Sequence, residues 1–125
     1  SKPDLILADC LSPTKAVVRI VDFQITWDSR IQAAARRKIE KYSPLAAIIR
    51  DHLSTHTSEA DVSVVPIVMG ARGAVPKTWI KATQDLRLTA PTQLRLAPKI
   101  SADIVHNSAQ MWFCWARTTN FWNNK

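Results

Sequence analysis

The chain has 125 residues, enough for one ordinary domain and too few for two; 46% hydrophobic and 22% charged residues match folded domains and argue against wholesale disorder. Two glycines exclude a Gly-rich phosphate-cradling loop, and two cysteines, Cys10 and Cys114, exclude a disulfide framework or a four-cysteine zinc site. Seventeen Lys and Arg against ten Asp and Glu leave a net charge of +7, which favours a polyanionic partner, and no apolar run approaches the roughly 20 residues of a membrane span.

In chain order, Leu5 to Ala8 is a short apolar run between Asp4 and Asp9 and predicts a buried strand. Ser12-Pro13-Thr14 carries turn chemistry. Ala16 to Thr26 is the strongest strand, rich in Val and Ile on both faces, as in a central strand covered by helices. Asp28 and Ser29 offer N-caps for a helix through Tyr42, and Ser43-Pro44 begins a second helical stretch, Leu45 to Leu53, giving one kinked helix or two. Thr55 to Asp61 reads as a polar loop. Val62 to Met69 is a strand, and Pro66 places it near the sheet edge or at a bulge.

Residues 70–76 form a loop, followed by a helix from Lys77 to about Leu88. Ala90 to Pro98 reads as a Pro-punctuated connection, and Ser101 caps a last helix reaching Trp115. The expected architecture is α/β, a small mixed central sheet flanked by helices. Residues 1–117 are expected to be the domain and 118–125 a flexible tail. The start at Ser1, with no signal segment, reads as a piece of a longer polypeptide, and the few cysteines suit a reducing intracellular compartment.

Three polar residues break the apolar pattern. Asp22 lies on the face of Val18 and Ile20 within a strand expected to be buried, so it needs a cation, a metal, strong donors or a strand end that reaches solvent. Lys38 falls in the centre of the stripe formed by Ile31, Ala34, Ala35 and Tyr42, unless its stem carries the amine out to water. Lys41 sits one turn away. Lys2-Pro3-Asp4 presents an acid at the mouth of the first strand, although Pro-Asp is also an ordinary turn dipeptide. Two carboxylates on a sheet suit a hard cation such as Mg²⁺, and a nearby lysine can orient water or stabilise charge on a scissile phosphate. That set of parts fits phosphodiester hydrolysis.

Lys2-Pro3-Asp4, Val21-Asp22-Phe23-Gln24 and Lys38-x-x-Lys41-Tyr42, with the segment Val65 to Gly73, resemble the restriction-like endonuclease of site-specific non-LTR retrotransposons. Those elements insert into ribosomal RNA or spliced-leader genes, and their nuclease belongs to the PD-(D/E)xK superfamily at the C-terminal end of a reverse transcriptase polyprotein. The resemblance covers about residues 2–76. Gln24 departs from the superfamily, whose lysine usually stands there; the resemblance implies that this role has moved to Lys38. The superfamily often adds an acid on a preceding helix, and the sequence begins too close to Asp4 to show one.

The resemblance implies a restriction-endonuclease-like fold in a nuclear protein that nicks double-stranded target DNA with Mg²⁺ (or Mn²⁺). The nick leaves a 3′-OH that primes reverse transcription. Element RNA and the upstream reverse transcriptase domains of the same polyprotein are the implied partners, with no membrane role. Asp4 and Asp22 are the implied metal ligands, with the Phe23 carbonyl as a third; Lys38 acts on the water or phosphate, and Lys41 and Tyr42 support it. Arg36, Arg37, Arg72, Lys77 and Lys81 are candidate DNA phosphate contacts or else solvated surface charges. The competing reading is a non-catalytic nuclease-fold module that binds DNA. His52 and His56, one helical turn apart, are read as surface histidines, and Trp112, Phe113 and Trp115 as core or interdomain packing rather than base-stacking platforms.

Overall fold

The computed structural model describes residues 2–118, with the side chains of 2–93 and 95–111. Strand β1 (Leu5–Ser12) turns at Pro13-Thr14 into β2 (Lys15–Thr26). The turn is tied by the Ser12 hydroxyl, which accepts the Thr14 N–H at 3.2 Å. A 3₁₀ turn, Asp28–Arg30, leads into α1 (Ile31–Ser54), which crosses over to β3 (Glu59–Gly70). Then come α2 (Thr78–Asp85) and α3 (Ala90–Thr118). The sheet order is β1-β2-β3, with β1 antiparallel and β3 parallel to β2. The result is a mixed α/β arrangement around a small three-stranded mixed sheet, as the sequence predicts at that level.

Strand periodicity sorts the core into two layers. Val18, Ile20 and Val62 face α1, where Tyr42 and Ala46 pack on them, while Ile31 and Ala34 pack on Val68. Val21, Val65, Ile67 and Met69 form the opposite layer against Trp79 and Ala82 of α2 and Ile104 of α3. The central, doubly buried β2 is therefore as expected, and Pro66 lies in an edge strand, whose open side tolerates a missing N–H.

Several boundaries differ from the sequence reading. β1 is exposed along its whole length, because it is an edge strand and no helix among the described residues packs on it. β3 begins at Glu59, extending into the expected polar loop, since its parallel ladder with β2 starts at Lys15 opposite Glu59. Pro44 sits inside one continuous α1, so the two-helix alternative does not hold. No side-chain cap starts that helix: Asp28 instead pairs with Arg72 at 3.2 Å. Ala90 to Pro98 is helical, because Pro91 is tolerated in the first turn and Leu96, Ala97 and Ile100 pack against the core. Ser101 lies within α3, its hydroxyl donating to the Gly73 carbonyl rather than capping. Residues 119–125, nearly all of the expected tail, lie outside the described residues.

Candidate functional site: two acids and a lysine at the strand mouth

β2 carries Asp22 onto the α1 side of the sheet, beyond Val18 and Ile20, where the residue is 3% exposed. α1 supplies Lys38 from its buried stripe, between Ala34 and Tyr42, and its Nζ lies 2.5 Å from Asp22 Oδ2. The chain before β1 closes the arrangement. The Asp4 N–H donates to Asp22 Oδ1 at 3.1 Å, and the Phe23 N–H donates to Asp4 Oδ2 at 2.8 Å. The buried Tyr42 hydroxyl donates to the Lys2 carbonyl at 3.1 Å, fixing this leading segment over the helix. Asp4, Asp22, Phe23, Lys38 and Tyr42 are thus brought to one place. The Tyr42–Lys2 link is absent from the sequence reading; the one available signal is a phenol within an apolar stripe, which needs a partner for its hydroxyl.

Burial raises the Asp22 pKa, but the Lys38 hydrogen bond, the Asp4 N–H and the Lys38 charge outweigh it and hold the carboxyl below its ordinary value. Asp22 is therefore an anion at neutral pH, balanced by the ammonium beside it. A buried carboxylate without that partner would cost several kcal/mol.

The donor set suits a hard oxygen-seeking ion. Asp4 Oδ1 accepts no hydrogen bond among the described residues and is open to an ion, whereas the Asp22 oxygens carry the Asp4 N–H and the Lys38 ammonium. The N–H and C=O of a strand residue point to the same side, so the Phe23 carbonyl leaves β2 towards Asp4. Two carboxylates and a carbonyl match the small protein contribution that Mg²⁺ takes while keeping waters. Among the described residues no group of three or more His, Cys, Asp or Glu side chains assembles. His52 and His56 stack edge-on at 5.6 Å on the exposed surface.

The remaining predicted residues lie on α1 and on the segments after β3. Lys41 is exposed with its Nζ 5.2 Å from the Tyr42 ring centroid, a cation–π distance, and Arg37 lies one turn before it on the same flank of α1. Arg36 is exposed on another face of that helix. Arg72 follows β3 and is already paired with Asp28. Lys77 precedes α2, and Lys81 lines a small cleft along the open edge of β3 with Ala35, Ile39 and Asp85. Lys77 and Lys81 thus line clefts against α1 residues Gln32, Ala35 and Ile39, which flank Arg36 in sequence. The side chains of Trp112, Phe113 and Trp115 lie outside the described residues.

Two further features lie apart from the acids. An apolar cleft of about 490 Å³ is lined by Phe23, Ile25, Ile67, Met69, Ile100 and Ile104. It opens on the sheet face opposite Asp22. Arg19 donates to Asp61 Oδ2 at 2.9 Å and to the Asp85 carbonyl at 3.1 Å, joining β2, β3 and the end of α2 as a structural tie. No helix among the described residues is long and apolar enough to cross a membrane. No family model, curated protein or solved structure matches the chain.

Proposed function

We propose that the chain is a metal-dependent DNA endonuclease domain with a restriction-endonuclease-like fold, acting by phosphodiester hydrolysis. The observation that carries this reading is the meeting of Asp4, Asp22 and Lys38 at one point, from a leading segment, a central strand and the following helix. The charge of +7 supports a polyanionic substrate.

In this reading Asp4, Asp22 and the Phe23 carbonyl hold Mg²⁺ or Mn²⁺. When bound, such an ion lowers the pKa of a coordinated water and stabilises charge on the phosphate. Asp22 supplies a fixed negative charge, because its depressed pKa keeps it ionised. Tyr42 holds the segment that carries Asp4 in register through the Lys2 carbonyl. Lys38 supplies the amine for the attacking water or the scissile phosphate, and Lys41 with Arg37 tracks the DNA backbone beside it. The resemblance of residues 2–76 extends the proposal to a nuclear retrotransposon polyprotein. There the nick would leave a 3′-OH to prime reverse transcription of element RNA by upstream domains.

The test is conversion of supercoiled plasmid to the nicked form with Mg²⁺ or Mn²⁺. Wild-type protein should nick, while Asp22→Asn and Lys38→Ala should not. One observation favours a second reading: both Asp22 oxygens already accept donors within the chain, as in a structural ion pair. A non-catalytic DNA-binding module of the same fold would bind duplex DNA without cutting it under any of these conditions.

A further inference from the structure

We propose that Lys38 is the resident counter-cation of Asp22 and is exchanged for a divalent ion, so that loading the site releases the lysine amine. This inference rests on the reading of Asp4 and Asp22 as a cation site, and goes beyond it by making occupancy and lysine position mutually exclusive. The two acids differ in their surroundings. Asp4 is exposed, and its Oδ1 accepts no hydrogen bond among the described residues. Asp22 is buried with both oxygens engaged, Oδ1 by the Asp4 N–H and Oδ2 by Lys38. Asp4 is the open half of the site, and Asp22 is the half closed by an ammonium.

An ammonium 2.5 Å from Oδ2 occupies the approach that a cation would take to that oxygen, and the two positive charges repel at such separation. Lys38 must leave Oδ2 before that oxygen can be offered to an ion. It has a route. Its side chain is 19% exposed, and a four-carbon stem can swing the amine towards water while its methylenes stay against Ala34 and Tyr42. Asp22 need not go unbalanced, since one cation replaces another. The Asp4 N–H keeps Oδ1 in place during the exchange.

Two measurements on the full chain test this. In calorimetric titration with Mn²⁺, Lys38→Met should bind about tenfold more tightly than wild type, because the competing charge is gone. In wild type, acetylation of Lys38 by acetic anhydride, located by peptide mass, should accelerate when Mn²⁺ is added, while the exposed Lys99 should not change. The second measurement stands if Lys38→Met fails to fold. Mn²⁺ binding that is equal in both proteins, or weaker in the variant, overturns the exchange and leaves the cation site standing. So does a Lys38 acetylation rate indifferent to bound Mn²⁺. No Mn²⁺ binding by wild type, with Asp22→Asn indistinguishable from it, overturns the cation site itself and the exchange with it.

Discussion

Lys38 on α1 and Asp22 on β2 form an ion pair 2.5 Å long in the interior of the chain, and the other donor on that carboxylate among the described residues is the Asp4 N–H. The pair joins a helix to the central strand, and the Asp4 contact joins both to the segment that leads into β1. It therefore governs the stability of this corner as well as its chemistry.

Lys38→Ala should destabilise the protein by about 3–5 kcal/mol, because it leaves a buried carboxylate without its cation. Asp22→Asn combined with Lys38→Met should cost much less, since no uncompensated charge remains. Urea unfolding of the single and double variants measures the difference.

Acid should weaken the fold through the same carboxylate. The folded pKa of Asp22 lies below the ordinary 3.8, so its stabilisation is full above that value and is lost as pH falls through the folded value. Asp61, lowered chiefly by its hydrogen bond from Arg19 against the opposing effect of burial, adds in the same direction. The urea midpoint should fall steeply below about pH 4 in wild type and less steeply in Asp22→Asn.

Much of this corner can be read from the sequence, because it consists of violations. An acid within a doubly apolar strand and a lysine within an apolar helical stripe each demand a partner, and the structure pairs them with each other. β1 shows the limit of such reading. Leu5, Ile6 and Leu7 look like a buried run, yet they lie exposed on an edge strand, since local hydrophobicity carries no information about which strand has two neighbours. The helix at Ala90 to Pro98 is obscured for a related reason. Pro91 and Pro98 suggest a loop, but tertiary packing of Leu96, Ala97 and Ile100 favours helix despite them. Asp28 does not cap α1: its Oδ2 meets Arg72, remote in sequence, and its Oδ1 is buried without a hydrogen-bond partner among the described residues.

Tyr42→Phe should leave the core packed but release the Lys2 carbonyl, at a cost of about 0.5–1.5 kcal/mol. The informative readout is local. Hydrogen exchange at the Asp4 amide should speed up by more than at Val21 or Val65, because the freed segment opens without global unfolding.

DNA affinity should depend on salt, and its residues should separate. Arg37→Ala and Lys41→Ala, on the α1 flank beside Tyr42, should each reduce the slope of log K against log salt by about 1. Arg72→Ala should change it less, because that guanidinium is already paired with Asp28. Binding of a labelled duplex across a salt series measures all three.

The most direct measurement of the central claim is the anomalous scattering of Mn²⁺ in crystals of the protein. The expected result is a peak between the carboxylates of Asp4 and Asp22, about 2–2.5 Å from their oxygens, with Lys38 Nζ moved off Oδ2. At saturating Mn²⁺, the absence of a peak there, with Lys38 still seated on Asp22, would contradict it.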